Sequence, residues 1–280
     1  MRQFRFLAAA AAVSLAATPA FAQDSDATLP DDEQAGATTI GLGAAFVPDY
    51  EGSDDYRLVP GGVLRTKIGS VSIQTRGLAV YADLIDGGSD GVDLDLGPIL
   101  AVRLNRTGKI KDNVVDELPD RNAAIEVGGF AGVGFKGLTN PYDRLSLRLD
   151  AVKDIGSAHQ SLVLSPSVDF TTPLSKTFFM GASLSADFVA DRYADYYFSV
   201  TPSGALASGL PVFDADGGMK NWKVGLLANQ SLSGDLRRGW SLFGTTSYSR
   251  LVGDFKRSPI VSRRGSAGQW MGAVGVGYTF

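Results

Sequence analysis

The sequence has 280 residues, including 34 glycines and no cysteine, and its formal net charge is −4. The lack of cysteine excludes disulfide bridges and thiolate chemistry, and the slightly acidic balance argues against a nucleic-acid partner. Many glycines together with a near-neutral mean hydropathy favour numerous short strands over packed helices.

The first 22 residues have the pattern of a secretory signal peptide. Arg2 and Arg5 precede an apolar run over residues 6–17, and Ala20-Phe21-Ala22 is a small-x-small cleavage pattern. The run is shorter than the roughly 20 residues of a membrane-spanning helix. We therefore predict a signal peptide over 1–22, a disordered acidic leader over 23–37 and a single barrel domain over 38–280.

The last strand has the pattern of a strand that faces lipid. Counting by twos, Trp270, Val274, Val276, Tyr278 and Phe280 share one face, and small residues occupy the other. Aromatic rings at both ends of an apolar face are typical of outer-membrane strands. A final Phe with Tyr two residues earlier also resembles the signal read by the barrel assembly machinery. This resemblance implies an assembly signal at Trp270, Tyr278 and Phe280.

Twelve segments alternate like strands and predict an all-β, closed antiparallel transmembrane barrel. They are 38–46, 57–67, 71–83, 92–105, 123–135, 145–152, 162–171, 178–188, 196–201, 222–232, 240–251 and 269–280. Twelve is even, as it must be if both termini lie in the periplasm, but this order puts the long 107–122 loop on the periplasmic side, where turns are short. If 196–201 is a loop, the strand count becomes odd, so a further predicted strand must also be excluded. Ten strands are then the alternative.

Charged residues recur on the faces opposite the apolar ones. In 92–105, Leu94, Leu96 and Val102 alternate with Asp93 and Arg103. The expected lumen charges are Asp93, Asp95, Arg103, Glu126, Arg148, Asp150, Asp169 and Asp187. Such a network could select solutes, but ion pairs that fill a narrow barrel are the favoured interpretation, because buried charges must pair. We therefore expect a plugged or very narrow lumen.

Three loop regions carry motifs that resemble the MltA-interacting protein and outer-membrane protein V (MipA/OmpV) family. The first reads Pro-Asp-Tyr-Glu-Gly-Ser from residue 48, the second combines Tyr-Phe-Ser-Val-Thr with Ser-Gly-Leu-Pro, and the third begins Ser-Pro-Ile-Val at residue 258. Phe213 stands where the family usually has Tyr. The family-like residues are Pro48, Tyr50, Gly52, Ser53, Tyr197, Phe198, Ser208, Gly209, Pro211, Ser258 and Pro259.

The resemblance implies a non-enzymatic scaffold in the Gram-negative outer membrane. Its implied partners are a periplasmic lytic transglycosylase and a peptidoglycan synthase, besides outer-membrane lipids and the assembly machinery. A narrow solute channel and a surface adhesin or antigen remain alternatives.

No catalytic, cofactor or metal site is predicted. The one histidine, His159, has no acidic neighbour in sequence and is expected to be exposed in a turn. The acidic first loop, with Asp49, Glu51, Asp54 and Asp55, could attract a divalent ion, but it lacks the spacing of a calcium loop and is expected to be solvated.

Overall fold

The computed structural model describes residues 37–85 and 91–280, so the predicted signal peptide and nearly all of the leader lie outside the described residues. Within them, twelve antiparallel strands form a closed barrel in chain order. The strands are β1 (Thr38–Pro48), β2 (Tyr56–Ile68), β3 (Val71–Arg76), β4 (Ala79–Asp83), β5 (Val92–Arg103), β6 (Ala124–Lys136), β7 (Arg144–Asp154), β8 (Leu162–Pro173), β9 (Phe178–Val189), β10 (Gly218–Ser231), β11 (Gly239–Leu251) and β12 (Gly268–Thr279).

The barrel closes where its first strand meets its last. β1 pairs with β12 from Thr39 opposite Thr279 to Phe46 opposite Gly272. This closure pairs the first strand with the last, so neither has a free edge at this seam. It also places the start of β1 beside the end of β12, so we call this end of the barrel the terminal end and the opposite one the loop end.

The outer surface carries an apolar band between two sets of aromatic rings. On β12, Val274 and Val276 are exposed and lie between Trp270 near the loop end and Tyr278 near the terminal end. The eight residue steps from Trp270 to Tyr278 span about 26 Å along the strand, which at a tilt of about 40° is roughly 20 Å of height, comparable with the roughly 25 Å of an outer-membrane apolar band. Ring contacts extend both girdles, with Tyr248 against Trp270 at 5.0 Å and Trp240 against Tyr278 at 5.0 Å. The prediction of a lipid-facing barrel is thereby confirmed.

The inward-facing residues of β1 and β12 are small because an aromatic ring of β11 occupies the space inside the barrel. A Cβ atom built on Gly275 would lie 2.4 Å from the ring of Phe243, and one built on Gly41 would lie 2.9 Å from the same ring. Glycine at these positions therefore admits the Phe243 side chain into the barrel.

The strand count is the predicted twelve, but two of the predicted strands are wrong. The segment 71–83 is not one strand, because Gly77 adopts a left-handed φ of 54° and the chain turns back to form β3 and β4. The segment 196–201 is not a strand, because Tyr196 lies in helix α2. The extra strand before the 107–122 loop moves that loop to the loop end, which removes the difficulty of a long periplasmic loop.

The helices all lie in connections at the loop end. They are α1 (Asn113–Asp116), α2 (Asp191–Phe198), α3 (Pro202–Ser208), α4 (Gly253–Arg257) and α5 (Pro259–Ser262). Across the described ranges, no helix is long and apolar enough to cross a bilayer.

Candidate functional site

The loop end is covered by a folded layer with its own apolar core, which we call the cap. It consists of residues 49–55, 104–123, 155–161, 190–217 and 252–267. Buried side chains from four of these loops form one cluster: Tyr50, Ile110, Val115, Leu118, Val200, Leu210 and Ile260. A second cluster joins Tyr193, Tyr197, Phe198, Phe255 and Val261 to the barrel rim. The cap is therefore held together by packing between loops that are distant in sequence.

The family-like motifs meet inside this cap. The Tyr50 hydroxyl donates to the carbonyl of Arg264 at 3.1 Å, and the Ser258 hydroxyl donates to the carbonyl of Phe198 at 2.6 Å. Burial, with the nearby Asp112 carboxylate as the next cause, raises the pKa of Tyr50 well above its usual range, so the hydroxyl remains a donor. Gly52 has a φ of 95°, and a Cβ there would lie 2.4 Å from Val261. These motif residues therefore join the first, central and last loops.

The remaining motif residues shape the loops locally. Ser208 donates to the Gly204 carbonyl at 2.7 Å at the end of α3, and Gly209 follows with a left-handed φ of 73°. Pro259 occupies the first turn of α5, and the Ser53 hydroxyl accepts the N–H of Asp55 at 3.0 Å. The remaining two, Pro48 and Pro211, lie at the end of β1 and after α3.

A surface ion pair fastens two cap loops to each other. Arg264 donates to Asp112 Oδ2 from Nε at 3.0 Å and from Nη2 at 2.6 Å. The same carboxylate caps α1, accepting the N–H groups of Val114 and Val115 at 2.9 Å each. Burial alone would raise the pKa of Asp112, but the Arg264 and backbone hydrogen bonds outweigh it and lower the pKa on balance.

Beneath the cap lies a buried group of ionisable side chains, which we call the buried charge cluster. The Tyr193 hydroxyl donates to Glu51 at 2.9 and 3.0 Å, and Lys220 Nζ lies 2.8 Å from Glu51 Oε1 and 3.3 Å from Asp187 Oδ2. Lys220 and Tyr193 are both completely buried. Burial raises the pKa of Tyr193 well above its usual range, which keeps its proton available for Glu51.

The cluster continues through Arg103 to the histidine. Arg103 forms two hydrogen bonds with Glu126, at 2.9 and 3.1 Å, and lies 3.6 Å from Glu51. His159 Nε2 is 3.0 Å from Glu126 Oε1, while its Nδ1 accepts the N–H of Ser161 at 3.2 Å. Since Nδ1 is an acceptor, the proton of a neutral ring is on Nε2, and the ring donates to Glu126.

The expectation of an exposed His159 is wrong. The side chain is 2 % exposed and packs at 4.8 Å against the Tyr193 ring. Its acidic partner is 33 positions earlier in the sequence, so inspection of the neighbouring residues could not find it. The expectation of a solvated acidic first loop is also wrong for Asp49 and Glu51, which are buried and paired with Arg57 and Lys220.

The predicted lumen residues all lie on the inner side of the wall. Glu126, Arg103 and Asp187 belong to the buried charge cluster under the cap. Nearer the terminal end, Arg144 binds Asp95 at 2.6 Å and Asp93 at 3.2 Å. The other pairs are Arg148 with Asp150 at 2.9 Å, Tyr81 with Asp150 at 3.1 Å, and Ser167 with Asp169 at 3.2 Å.

Sequence reasoning missed three members of the buried charge cluster: Glu51, Tyr193 and Lys220. Glu51 lies in the loop expected to be solvated, Tyr193 lies between the predicted strands 178–188 and 196–201, and Lys220 precedes the predicted strand that begins at residue 222. Alternation from the inward-facing Lys223 would put Lys220 outside, and only the irregular register between Met219 and Asn221 turns it inward, so the sequence carries no signal for it.

The arrangement positions charges but gives a substrate little access to them. Asp93, Glu126 and Asp150 are 5 %, 2 % and 8 % exposed, whereas a wide aqueous pore would leave such inward-facing carboxylates accessible. Over residues 37–85 and 91–280, no group of three or more His, Asp or Glu side chains is arranged to hold a metal ion. In the described residues, these inward-facing carboxylates are buried and the cap covers the loop end; the narrow lumen remains a prediction.

Known proteins with similar barrels have low sequence identity to this chain. An outer membrane channel of Pseudomonas putida F1 is 9% identical to this chain, with a TM-score of 0.48. The superposition covers 93% of this chain and 100% of the channel. The translocator domain of the autotransporter NalP from Neisseria meningitidis is 17% identical with a TM-score of 0.35, covering 87% of both chains. The outer membrane protein OmpT of Vibrio cholerae is 9% identical with a TM-score of 0.33, covering 90% and 100%. No curated protein matches the sequence.

The sequence family is established by a match over nearly the whole barrel. The family model described as MltA-interacting protein MipA matches residues 40–280, which includes all three motif regions and the final strand. The predicted resemblance is confirmed. This chain is a Gram-negative outer-membrane β-barrel that belongs to the MltA-interacting protein MipA family.

Proposed function

We propose that this chain is a non-enzymatic scaffold that holds a lytic transglycosylase at the periplasmic face of the outer membrane and links it to a peptidoglycan synthase. Membership of a family described as MltA-interacting is the observation that carries the proposal. The ion pairs of the inner wall and the packed cap support it, because they leave the inward-facing charges bound to one another and suit an anchor better than a transporter.

The partner surface is expected at the terminal end. In outer-membrane barrels the short turns face the periplasm and the long loops face outward. A periplasmic enzyme would then meet the turns and the leader over 23–37, and not the cap.

Two of these turns together present exposed cations. Lys176 lies between β8 and β9, and Arg237 and Arg238 lie between β10 and β11. The turns are joined, since the N–H of Leu236 donates to the carbonyl of Lys176 at 3.1 Å. Exposed charges at the rim of an interface steer association and set its salt dependence. We assign this basic pair of turns as the first contact with an acidic surface of the partner.

The proposal is tested by capture on the barrel in lipid nanodiscs. Purified lytic transglycosylase and peptidoglycan synthase of the same bacterium should bind the parent barrel, and binding should weaken as salt rises. Lys176→Glu combined with Arg238→Glu should slow association, whereas Leu206→Glu, on the exposed side of α3 in the cap, should not. If neither enzyme binds above an empty-nanodisc control, the scaffold proposal is wrong.

A channel is the second candidate, and the charged interior is the observation that favours it. Ion pairs such as Arg144 with Asp95, near the terminal end, could be exchanged for solute contacts, but a solute could cross the barrel only if the cap at the loop end opened. Steady single-channel currents from the parent barrel in planar bilayers would support this candidate.

A further inference from the structure

The barrel wall is incomplete beside β2. β2 pairs with β1 from Tyr56 to Thr66, but it pairs with β3 only from Arg65 to Ile68. On the loop-end side of Arg65, the pairing of β2 with β3 ends. There the N–H of Leu64 donates to the side chain of Thr75 at 2.8 Å instead of to a backbone carbonyl. Continuing the register puts the β3–β4 turn at Gly77 level with Gly62. In the loop-end part of β2, the backbone of residues 58–62 therefore has no strand paired on this side in the part of the chain that the structure describes, and we call this stretch the free edge.

This free edge lies at the depth of the hydrocarbon. Pro60 is opposite Ala44, and Ala44 is opposite Val274. Val274 is midway between Trp270 and Tyr278, which mark the two interfaces. Two strand spacings of about 4.8 Å at a tilt of about 40° change the depth by about 6 Å between β12 and β2, which keeps Pro60 within an apolar band roughly 25 Å tall. The gap faces lipid tails, with its upper end near the stacked rings of Phe46 and Tyr56.

The sequence of the edge lowers the cost of leaving it open. N–H groups alternate in direction along a strand, so Leu58, Pro60 and Gly62 face the same side as the Leu64 N–H. Pro60 has no N–H, and the Leu64 N–H is satisfied by Thr75. Within the described residues, the N–H groups of Leu58, near the aromatic girdle, and of Gly62, below it, remain without a partner, as do the carbonyl groups of Leu58, Pro60 and Gly62. This matches the way natural sheets block an edge against a partner strand.

We propose that this gap is a binding slot for one acyl chain of a lipid in the leaflet at the loop end. The ester carbonyl of the lipid accepts the Leu58 N–H at the level of the girdle, and the chain runs down over Pro60 and Gly62 to the β3–β4 turn. Leu58 is 72 % exposed, and its inward-facing neighbour Val59 is buried. The lipid-facing side of the slot is therefore apolar, and its inner side is closed.

Other occupants fit the edge less well. A strand from a second copy would need a regular row of donors, and Pro60 interrupts that row. The leader over 23–37 carries Asp24, Asp26 and three further acidic residues, which would lie in hydrocarbon. A lipid chain needs neither a ladder nor charge compensation.

The test uses two glycines that both point outward. A Cβ on Gly62 would meet its nearest neighbour at 3.5 Å, and one on Gly244, in the closed wall between β10 and β12, would meet its nearest at 3.7 Å. Both sites therefore accept a side chain. Gly62→Phe would place a ring in the slot, and Gly244→Phe is the matched control.

The mass of the detergent-washed barrel, with any lipid that it retains, is then measured by native mass spectrometry. The parent chain and Gly244→Phe should each retain one lipid, identified by its mass, and Gly62→Phe should retain none. The proposal is overturned if the parent retains no lipid, if Gly62→Phe retains as much as the parent, or if the parent is a dimer that Gly62→Phe dissociates.

A second measurement covers the case in which Gly62→Phe does not fold. The chain has no cysteine, so single cysteines can carry a small fluorophore. In vesicles of lipids brominated in the middle of the chain, a label at inward-facing Gly61 should be quenched nearly as strongly as one at outward-facing Val274. A label at inward-facing Ala273, in the closed wall, should not be. Equal quenching at Gly61 and Ala273, both well below Val274, would show a closed wall and refute the slot.

Discussion

Replacing Lys220 by methionine tests whether the buried charge cluster acts as one unit. Lys220 is completely buried, and its ammonium lies 2.8 Å from Glu51 and 3.3 Å from Asp187. Methionine keeps much of the apolar stem and removes the charge, leaving two buried carboxylates with one cation fewer. Removing one partner of a buried pair costs about 3–5 kcal/mol. We expect the free energy of unfolding of Lys220→Met to fall by about that amount.

The measurement is denaturant unfolding of the barrel refolded in vesicles, followed by tryptophan fluorescence. Glu51→Gln should cost less than Lys220→Met, because Lys220 keeps Asp187. The double variant should be more stable than the sum of the single losses implies, by at least about 1 kcal/mol, since the two groups are in contact. Lys176→Met, in an exposed turn, is the control and should stay within about 0.5 kcal/mol of the parent.

Two outcomes would refute the reasoning. Lys220→Met could unfold at the same denaturant concentration as the parent, which would mean that the carboxylates find other partners at no cost. Alternatively, the losses of Lys220→Met and Glu51→Gln could simply add, which would mean that their 2.8 Å contact carries no coupling.

Three further predictions concern the cap and the final strand. Gly52→Ala should lower the thermal stability of the barrel, because its φ is 95° and Val261 fills the space, whereas Gly108→Ala, with a φ of 84° and open space, should cost less. Because the pKa of Asp112 is lowered, its stabilisation is present above the ordinary carboxyl value of about 3.9 and is lost as the pH falls through the lower folded-state value. Cleavage of the 104–123 loop by an acid-active protease should therefore increase there in the parent. With a protease active at neutral pH, Asp112→Asn should be cleaved in this loop faster than the parent, and equal cleavage of the two chains at neutral pH would contradict this. Deleting Phe280 should reduce the heat-modifiable outer-membrane fraction far more than Thr279→Ala, and equal assembly of the two would remove the special role given to the final strand.

Alternation along each strand made the barrel predictable, because lipid outside and charge inside impose opposite residue types on neighbouring positions. The break at Gly77 was missed because the residues around it still alternate, and a single glycine does not reveal whether a strand bends or reverses. α2 was missed for another reason. Its buried Tyr193 and Tyr197 look like strand aromatics in sequence, and it is their packing under the cap that favours a helix.

The contacts of the cap could not be derived from the sequence, since they join residues such as Glu51 and Lys220, 169 positions apart. Once these contacts are known, the meaning of the family-like motifs changes. Tyr50, Phe198 and Ser258 are buried, and their polar atoms are used inside the cap, so they have little surface left for a partner. The motifs therefore specify how the barrel is sealed. If a periplasmic enzyme binds, its specificity has to come from the short turns and the leader at the other end, where no motif was recognised.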